Sequence, residues 1–166
     1  INAILPVAEE ANVTLALHPD DPPVAIMNGV GKIVTHYEGY RRAEEISNGS
    51  KNWGLLFCVG TWSEGGEQMG KNVLEMIEDF GGRGKIAEIH FRNVSATMPY
   101  FEETFPDDGY VDMSQVMNAL RKVNFDGLII PDHIPIFVED NNTRAGLAYC
   151  ISYMRALLRQ ANKEVG

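Results

Sequence analysis

Cysteine is scarce in this sequence. The 166 residues include two cysteines, Cys58 and Cys150, which lie 92 positions apart and belong to no Cys-x-x-Cys pair. This spacing argues against a disulfide framework. Cys150 falls within a helical pattern and is predicted to be a small buried apolar residue, whereas Cys58 follows an apolar run and is available as a thiol ligand.

Positive charge and long apolar runs are also scarce. Lys and Arg total 14 against 23 Asp and Glu, a net charge of -9, and they form no stripe that would bind nucleic acid. No apolar run approaches the roughly 20 residues of a membrane helix, and the residues after Ile1 do not resemble a secretory signal. We therefore expect a cytoplasmic protein with neither a nucleic acid nor a membrane partner.

What the sequence does contain is a repeat of apolar strands and amphipathic helices. With 45% apolar residues and no compositional break, residues 1–166 are expected to form one domain. Apolar runs predict four buried strands, at 13–17, 55–58, 86–91 and 128–131. Residues with helical spacing predict helices at 3–11, 40–48, 73–80, 113–120 and 143–162.

This order predicts a parallel α/β sheet with helices outside. A complete (β/α)8 barrel of TIM type usually needs about 250 residues, and four strand-helix units are half of it. We therefore expect the chain to be the C-terminal half of a longer barrel. The segment after the second strand contains Gly60, Gly65 and Gly66 and is expected to be a loop.

A residue that can bind a metal ion lies at or directly next to the end of each predicted strand. These residues are His18, Cys58, His90 and Asp132, at intervals of 40, 32 and 42 residues. Because the carboxyl ends of parallel strands meet at one end of a barrel, the four residues predict a single metal-dependent active site. Taken singly, His18 could be a loop histidine, Cys58 a core residue and Asp132 a turn cap.

Several segments resemble the mannonate dehydratase family, metal-dependent barrels of the xylose-isomerase-like superfamily. They are Leu15-Ala16-Leu17-His18-Pro19-Asp20-Asp21-Pro22-Pro23, Ile89-His90-Phe91-Arg92-Asn93-Val94, Phe101-Glu102-Glu103 through Val111-Asp112-Met113, and Phe125-Asp126-Gly127 with Pro131-Asp132-His133. The resemblance implies dehydration of the sugar acid D-mannonate to 2-keto-3-deoxygluconate, in glucuronate catabolism. It also implies that His18, Cys58, His90 and Asp132 hold a divalent metal, usually manganese, and that His133 is a catalytic acid or base.

The chemistry of these ligands supports a metal site but leaves the metal open. Two neutral imidazoles, a thiolate and a carboxylate place a formal charge of about -2 around a divalent ion, which remains a Lewis acid. A lone thiolate suits Zn²⁺, Fe²⁺ or Co²⁺ as well as Mn²⁺.

Three further residues are candidates for the active site. Arg92 and Asn93 follow the third strand and are predicted to bind a substrate carboxylate or hydroxyl, although Arg92 could instead only pair with a loop acid. Family members have a catalytic tyrosine in a Gly-Tyr-Gly context, where this chain reads Gly146-Leu147-Ala148-Tyr149-Cys150. Tyr149 either replaces that tyrosine or packs within the helix. The Glu102-Glu103 pair is expected to be solvated.

Two other functions and one assembly also fit the sequence. The same scaffold could carry a sugar isomerase or epimerase, or a non-catalytic half-barrel that binds metal. A four-stranded sheet cut from a barrel exposes two unpaired edges, at 13–17 and 128–131. We expect a homodimer in which these edges pair about a two-fold axis.

Overall fold

A four-stranded parallel sheet lies at the centre of the computed structural model, which describes residues 1–139 and 143–165. The strands in chain order are β1 (Leu15–Leu17), β2 (Ile26–Met27), β3 (Val30–Gly31), β4 (Trp53–Cys58), β5 (Ile86–His90), β6 (Asn93–Val94), β7 (Glu103–Thr104) and β8 (Leu128–Ile130). The sheet has the order β1-β4-β5-β8, and all its neighbouring pairs are parallel. β2 pairs with β3, and β6 with β7, as short antiparallel ribbons.

Helices connect the strands of the sheet. They are α1 (Leu5–Glu10), α2 (Tyr37–Ile46), α3 (Val59–Gly65), α4 (Val73–Met76), α5 (Met113–Lys122) and α6 (Arg144–Glu164). A 3-10 turn, Gly66–Met69, follows α3, and a π-helical turn, Ile77–Gly81, continues α4. Asn72 forms a capping box at α4, and Asp112 caps the first turn of α5. Of the helices in the described ranges, none is long and apolar enough to cross a membrane.

The two faces of the sheet differ in burial. Strand side chains alternate between the faces, and those turned toward the helices, such as Leu55 and Phe57, are fully buried in the core. On the opposite face Leu128 is 59% exposed. Cys58 and His90 also lie on this opposite face, side by side, because they are register partners at the ends of β4 and β5. The less covered face corresponds to the inner wall of a barrel.

All four predicted strands are present, with changed ends. β1 begins at Leu15, two residues later than predicted. β8 ends at Ile130, before Pro131, which has no N–H for a ladder hydrogen bond. α2 begins three residues before the predicted 40–48 helix, and α6 spans close to the predicted 143–162.

The prediction of a glycine-rich loop after the second strand is wrong. This segment is the helix α3, which contains Gly60 and Gly65 and begins directly after Cys58. All seven of its residues are buried. Tertiary packing therefore outweighs the cost of a glycine in a helix, which is about 1 kcal/mol relative to alanine.

Candidate metal centre and active site

Three of the four predicted metal ligands meet at the carboxyl ends of the strands. His18 follows β1, Cys58 ends β4 and His90 ends β5. Each offers one ligand atom, and these atoms all lie within 4.8 Å of one another. The imidazole rings of His18 and His90 are tilted by 56° with centroids 5.2 Å apart. The parallel sheet thus converts three distant sequence positions into one cluster.

The hydrogen bonds of these residues fit a divalent metal. His18 Nδ1 lies 2.6 Å from the Pro19 carbonyl, which can only accept, so Nε2 of the neutral ring keeps its lone pair. Cys58 is fully buried, and its Sγ accepts the Thr61 N–H at 3.4 Å. His90 Nδ1 is buried and makes no hydrogen bond to the described residues. Two imidazoles and a thiol are suitable donors for a divalent transition metal.

Asp132 lies beside this cluster. Its Oδ2 is 3.1 Å from His90 Nδ1 and 3.4 Å from Arg92 Nε. Because β8 ends two residues earlier, the carboxylate turns toward the end of β5. The structure therefore brings Asp132 next to a predicted ligand, and its role as the fourth ligand stays a prediction.

Arg92 is a buried ion-pairing residue, as the alternative interpretation of the sequence has it, and its role in substrate binding stays a prediction. It is 1% exposed, and four carboxylates surround its guanidinium. They belong to Asp21 at 2.6 Å, Glu64 at 2.7 Å, Glu103 at 3.0 Å and Asp132 at 3.4 Å. Burial lowers the pKa of Arg92, but the negative charges of Cys58, Glu64 and the other acids raise it above its ordinary value. The two terminal nitrogens of the guanidinium are used by these acids and by Thr61, whereas Nε makes no hydrogen bond to the described residues.

Glu64 is the most deeply buried of these acids. It is 0% exposed, and neither carboxylate oxygen has a hydrogen-bond partner among the described residues, although Oε1 is within ion-pair distance of Arg92. Burial raises the pKa of Glu64 to about 7, against the partial compensation from Arg92. Glu64 therefore changes its charge near neutral pH.

Asn93 supports a loop, and its role in substrate binding stays a prediction. Its Nδ2 donates to the carbonyls of Pro106 and Val111, and its Oδ1 accepts the N–H groups of Val94 and Val111. The side chain is fully buried. Its hydrogen-bonding capacity is used to fix the segment between β7 and α5.

His133 lies where an acid or base could act. Nδ1 is 2.7 Å from Glu103 Oε1, and Nε2 is 3.8 Å from Asp132 Oδ2. The side chain is half-exposed, and the backbone is left-handed, with a φ of 46°. Neighbouring residues of an extended strand face opposite ways. The end of β8 and this left-handed turn let both Asp132 and His133 point toward one region.

Tyr149 packs against aromatic residues. Its ring meets Phe105 edge-on with centroids 5.0 Å apart, and its hydroxyl donates to Asp107. The hydrogen bond to Asp107 raises the pKa of the Tyr149 phenol. These contacts favour the packing interpretation of Tyr149 over its predicted catalytic role.

A sequence model of the D-mannonate dehydratase (UxuA) family matches residues 1–163. The chain belongs to the D-mannonate dehydratase family. It is 36% identical over 136 residues to Mannonate dehydratase 2 of Halalkalibacterium halodurans, an alignment that covers 80% of this chain and 38% of the relative. The crystal structure of mannonate dehydratase from Streptococcus suis serotype2 matches with a TM-score of 0.88 and 32% identity, covering 100% of this chain and 48% of that one.

The fold class is also confirmed. A xylose isomerase domain protein from Alicyclobacillus acidocaldarius matches with a TM-score of 0.74, covering 96% of this chain and 55% of that one. At 12% identity this likeness concerns the fold alone, a half-barrel of the TIM type. The chain spans little more than a third of the curated mannonate dehydratase and about half of the solved one.

Four polar residues of the candidate site were not predicted from the sequence. They are Asp21, Thr61, Glu64 and Glu103, all of which contact Arg92. Glu103 lay within a segment that resembles the family but was expected to be solvated. A buried Arg92 needs several acceptors, and that requirement was the available signal for neighbouring acids.

Proposed function

We propose that this chain carries the metal-binding and proton-transfer part of a metal-dependent dehydratase. The proposed reaction removes water from D-mannonate, or a related sugar acid, and gives 2-keto-3-deoxygluconate. The observation that carries the proposal is the cluster of His18, Cys58 and His90 beside Asp132 and His133, in a chain of the D-mannonate dehydratase family. Because the curated and solved relatives are longer, the activity of the whole protein is part of the proposal.

The proposed roles follow from the positions of the side chains. His18, Cys58, His90 and Asp132 would hold a divalent ion, which supplies Lewis acidity to the carboxylate and C2 hydroxyl of the sugar acid. His133 would move a proton, either from C2 or to the C3 hydroxyl that departs as water. Loss of the C2 proton and the C3 hydroxyl gives an enol, which tautomerises to the 2-keto-3-deoxy acid.

We propose manganese as the metal because the family resemblance points to it. The donor set also suits zinc, iron and cobalt. Elemental analysis of protein purified without a metal-affinity tag decides between these four metals. About one equivalent of a single divalent metal would support the site, and a metal content near zero after reconstitution would count against it.

Product analysis separates the proposed function from its rivals. D-Mannonate and Mn²⁺ should yield a 2-keto-3-deoxy acid, lighter than the substrate by one water. An isomerase or epimerase would conserve the mass of the substrate. A non-catalytic half-barrel would bind Mn²⁺ without any turnover.

His133→Ala is the variant that tests the proton transfer. Loss of a general acid or base should lower the rate by roughly 10²–10⁴ while metal content is retained. His36→Ala is the matched control, because His36 is exposed at the start of α2. A His133→Ala protein that loses its metal would instead make His133 a ligand or a structural support.

We also propose a location and an assembly. A cytoplasmic location would keep Cys58 reduced, as a thiolate ligand requires. A homodimer would cover the open edges of β1 and β8, where Leu128 is largely exposed.

A further inference from the structure

Glu103 connects the buried Arg92 with the half-exposed His133. Both Glu103 carboxylate oxygens lie 3.0 Å from Arg92 Nη1, and Oε1 is also 2.7 Å from His133 Nδ1. One carboxylate is therefore shared between a buried cation and the predicted catalytic histidine.

The position of the Glu103 carboxylate is fixed by strand pairing and by Arg92. Glu103 belongs to β7, which is fixed by its antiparallel pairing with β6. Arg92, which directly precedes β6, makes two further hydrogen bonds through Nη2. Its guanidinium also packs so tightly on α3 that a Cβ at Gly60 would lie 2.5 Å from Nη1. The acceptor offered to His133 is thus anchored in the buried part of the chain.

The chemistry of the contact determines which nitrogen of His133 carries the proton. A carboxylate paired with a guanidinium only accepts hydrogen bonds, so His133 Nδ1 must donate. In the neutral ring, Nε2 is then the unprotonated nitrogen. Nε2 lies 3.8 Å from Asp132 Oδ2, which is too far for a hydrogen bond, so its lone pair is available beside the predicted metal ligands.

We propose that Glu103 is a positioning residue for His133, holding the ring through Nδ1 and leaving Nε2 as the atom that exchanges a proton with the sugar acid. The left-handed backbone of His133 is uncommon for a residue other than glycine, and the anchor on Nδ1 favours it. The role of Nε2 in turnover rests on the proposed function. The tautomer of His133 does not depend on it.

Nitrogen NMR of the 166-residue chain tests the tautomer without any activity. The chain is labelled with ¹⁵N-histidine, studied metal-free at a pH where the rings are neutral, and the His133 signals are identified by their absence in His133→Gln. We expect Nδ1–H in the parent chain and in Glu103→Gln, whose amide oxygen can still accept. Glu103→Ala should shift His133 toward Nε2–H, the form favoured in water, whereas Glu102→Ala should leave it unchanged because Glu102 is exposed.

The spectrum of the parent chain can refute the proposal by itself. The proposal therefore stays testable even if the Glu103→Ala chain does not fold. Nε2–H in the folded parent, or an unchanged tautomer in a folded Glu103→Ala, would refute the positioning role. A purely structural pairing of Glu103 with Arg92 predicts this unchanged tautomer.

Kinetics test the catalytic part. In the form of the protein that dehydrates D-mannonate, Glu103→Ala should lower kcat by about 10–100-fold, with Glu103→Gln recovering part of the loss. KM should change less than about threefold, because Glu103 acts through His133 and not on the substrate. A rise in KM as large as the fall in kcat would refute the positioning role. Absence of dehydration in every parent form would instead refute the proposed function, while the NMR result would still decide the tautomer.

Discussion

Glu64 should make the stability of the chain depend on pH near neutrality. Its pKa is about 7 in the folded chain against an ordinary value of 4.5. Between these values the folded chain binds more protons than the unfolded chain, so the free energy of unfolding decreases as pH rises. The stabilisation is complete below about pH 4.5 and is lost by about pH 7, with an upper limit of about 3 kcal/mol.

Urea unfolding of the metal-free chain at several pH values measures this effect. Glu64→Gln removes the titrating group at similar size, and should remove the decrease between pH 5 and 7. The control is Glu102→Gln, an exposed acid that should keep the parent profile. A Glu64→Gln chain with the same pH slope as the parent would show that another group titrates.

Metal affinity should depend on Cys58 and His90 separately. Cys58→Ser and His90→Ala should each weaken Mn²⁺ or Zn²⁺ binding by at least about tenfold, because each removes a donor from an already small set. Cys150→Ala is the matched cysteine control, since Cys150 is buried on α6. Metal titration by calorimetry measures the constants, and parent-like affinity in both variants would disprove the site.

The candidate ligands could be predicted from the sequence for a physical reason. His18, Cys58 and His90 directly end apolar runs, so the strand period alone brings them to one end of the sheet. Glu64 and Glu103 could not be placed in the same way. Their neighbours along the chain do not reveal that Arg92 is buried and contacts both of them.

At the level of elements, α3 is the helix that holds Arg92 in place. Gly60→Ala would bring a Cβ within 2.5–2.7 Å of Arg92 Cγ, Nη1 and Cζ. We expect a loss of about 1–3 kcal/mol in the free energy of unfolding, because this buried contact cannot open without moving the ion pairs. Gly82→Ala is the control, since nothing lies within 4 Å of its Cβ position and its φ is -59°. Equal stability of the two variants would mean that Arg92 moves freely.

The helical structure of α3 could not be predicted from the sequence, in contrast to elements with clear apolar spacing. β4, α5 and α6 follow clear patterns of apolar spacing, and α5 also has a visible cap at Asp112. α3 has glycines at Gly60 and Gly65, and its helical state depends on burial that only the complete fold provides. Tertiary packing therefore had to be known before this element could be assigned.

At the scale of the whole molecule, the sheet edges predict association. β1 and β8 are the edges of the described sheet, and the inner face beside them carries the exposed Leu128. Pairing β1 of one copy with β8 of another would satisfy the unpaired backbone groups and cover this face. Sedimentation at micromolar concentration should therefore find a dimer.

Leu128→Lys should weaken the dimer, because it places a charge on the apolar face that association would bury. Ile33→Lys is the control, since Ile33 is 81% exposed in the loop between β3 and α2. A stable, compact parent monomer would contradict the association. A dimer unaffected by Leu128→Lys would contradict only the pairing of these edges.

The acids around Arg92 are also expected to affect the order in which the proposed metal ion and sugar acid bind. Four carboxylates, from Asp21, Glu64, Glu103 and Asp132, face one guanidinium, so this end of the sheet carries excess negative charge. A sugar acid is repelled by that charge, whereas a divalent cation is attracted by it. The cation should therefore bind first. Protein stripped of its metal by a chelator should bind D-mannonate at least about tenfold more weakly than metal-loaded protein, as equilibrium dialysis can measure. Equal binding of D-mannonate by the metal-free and the metal-loaded protein would contradict this order of binding.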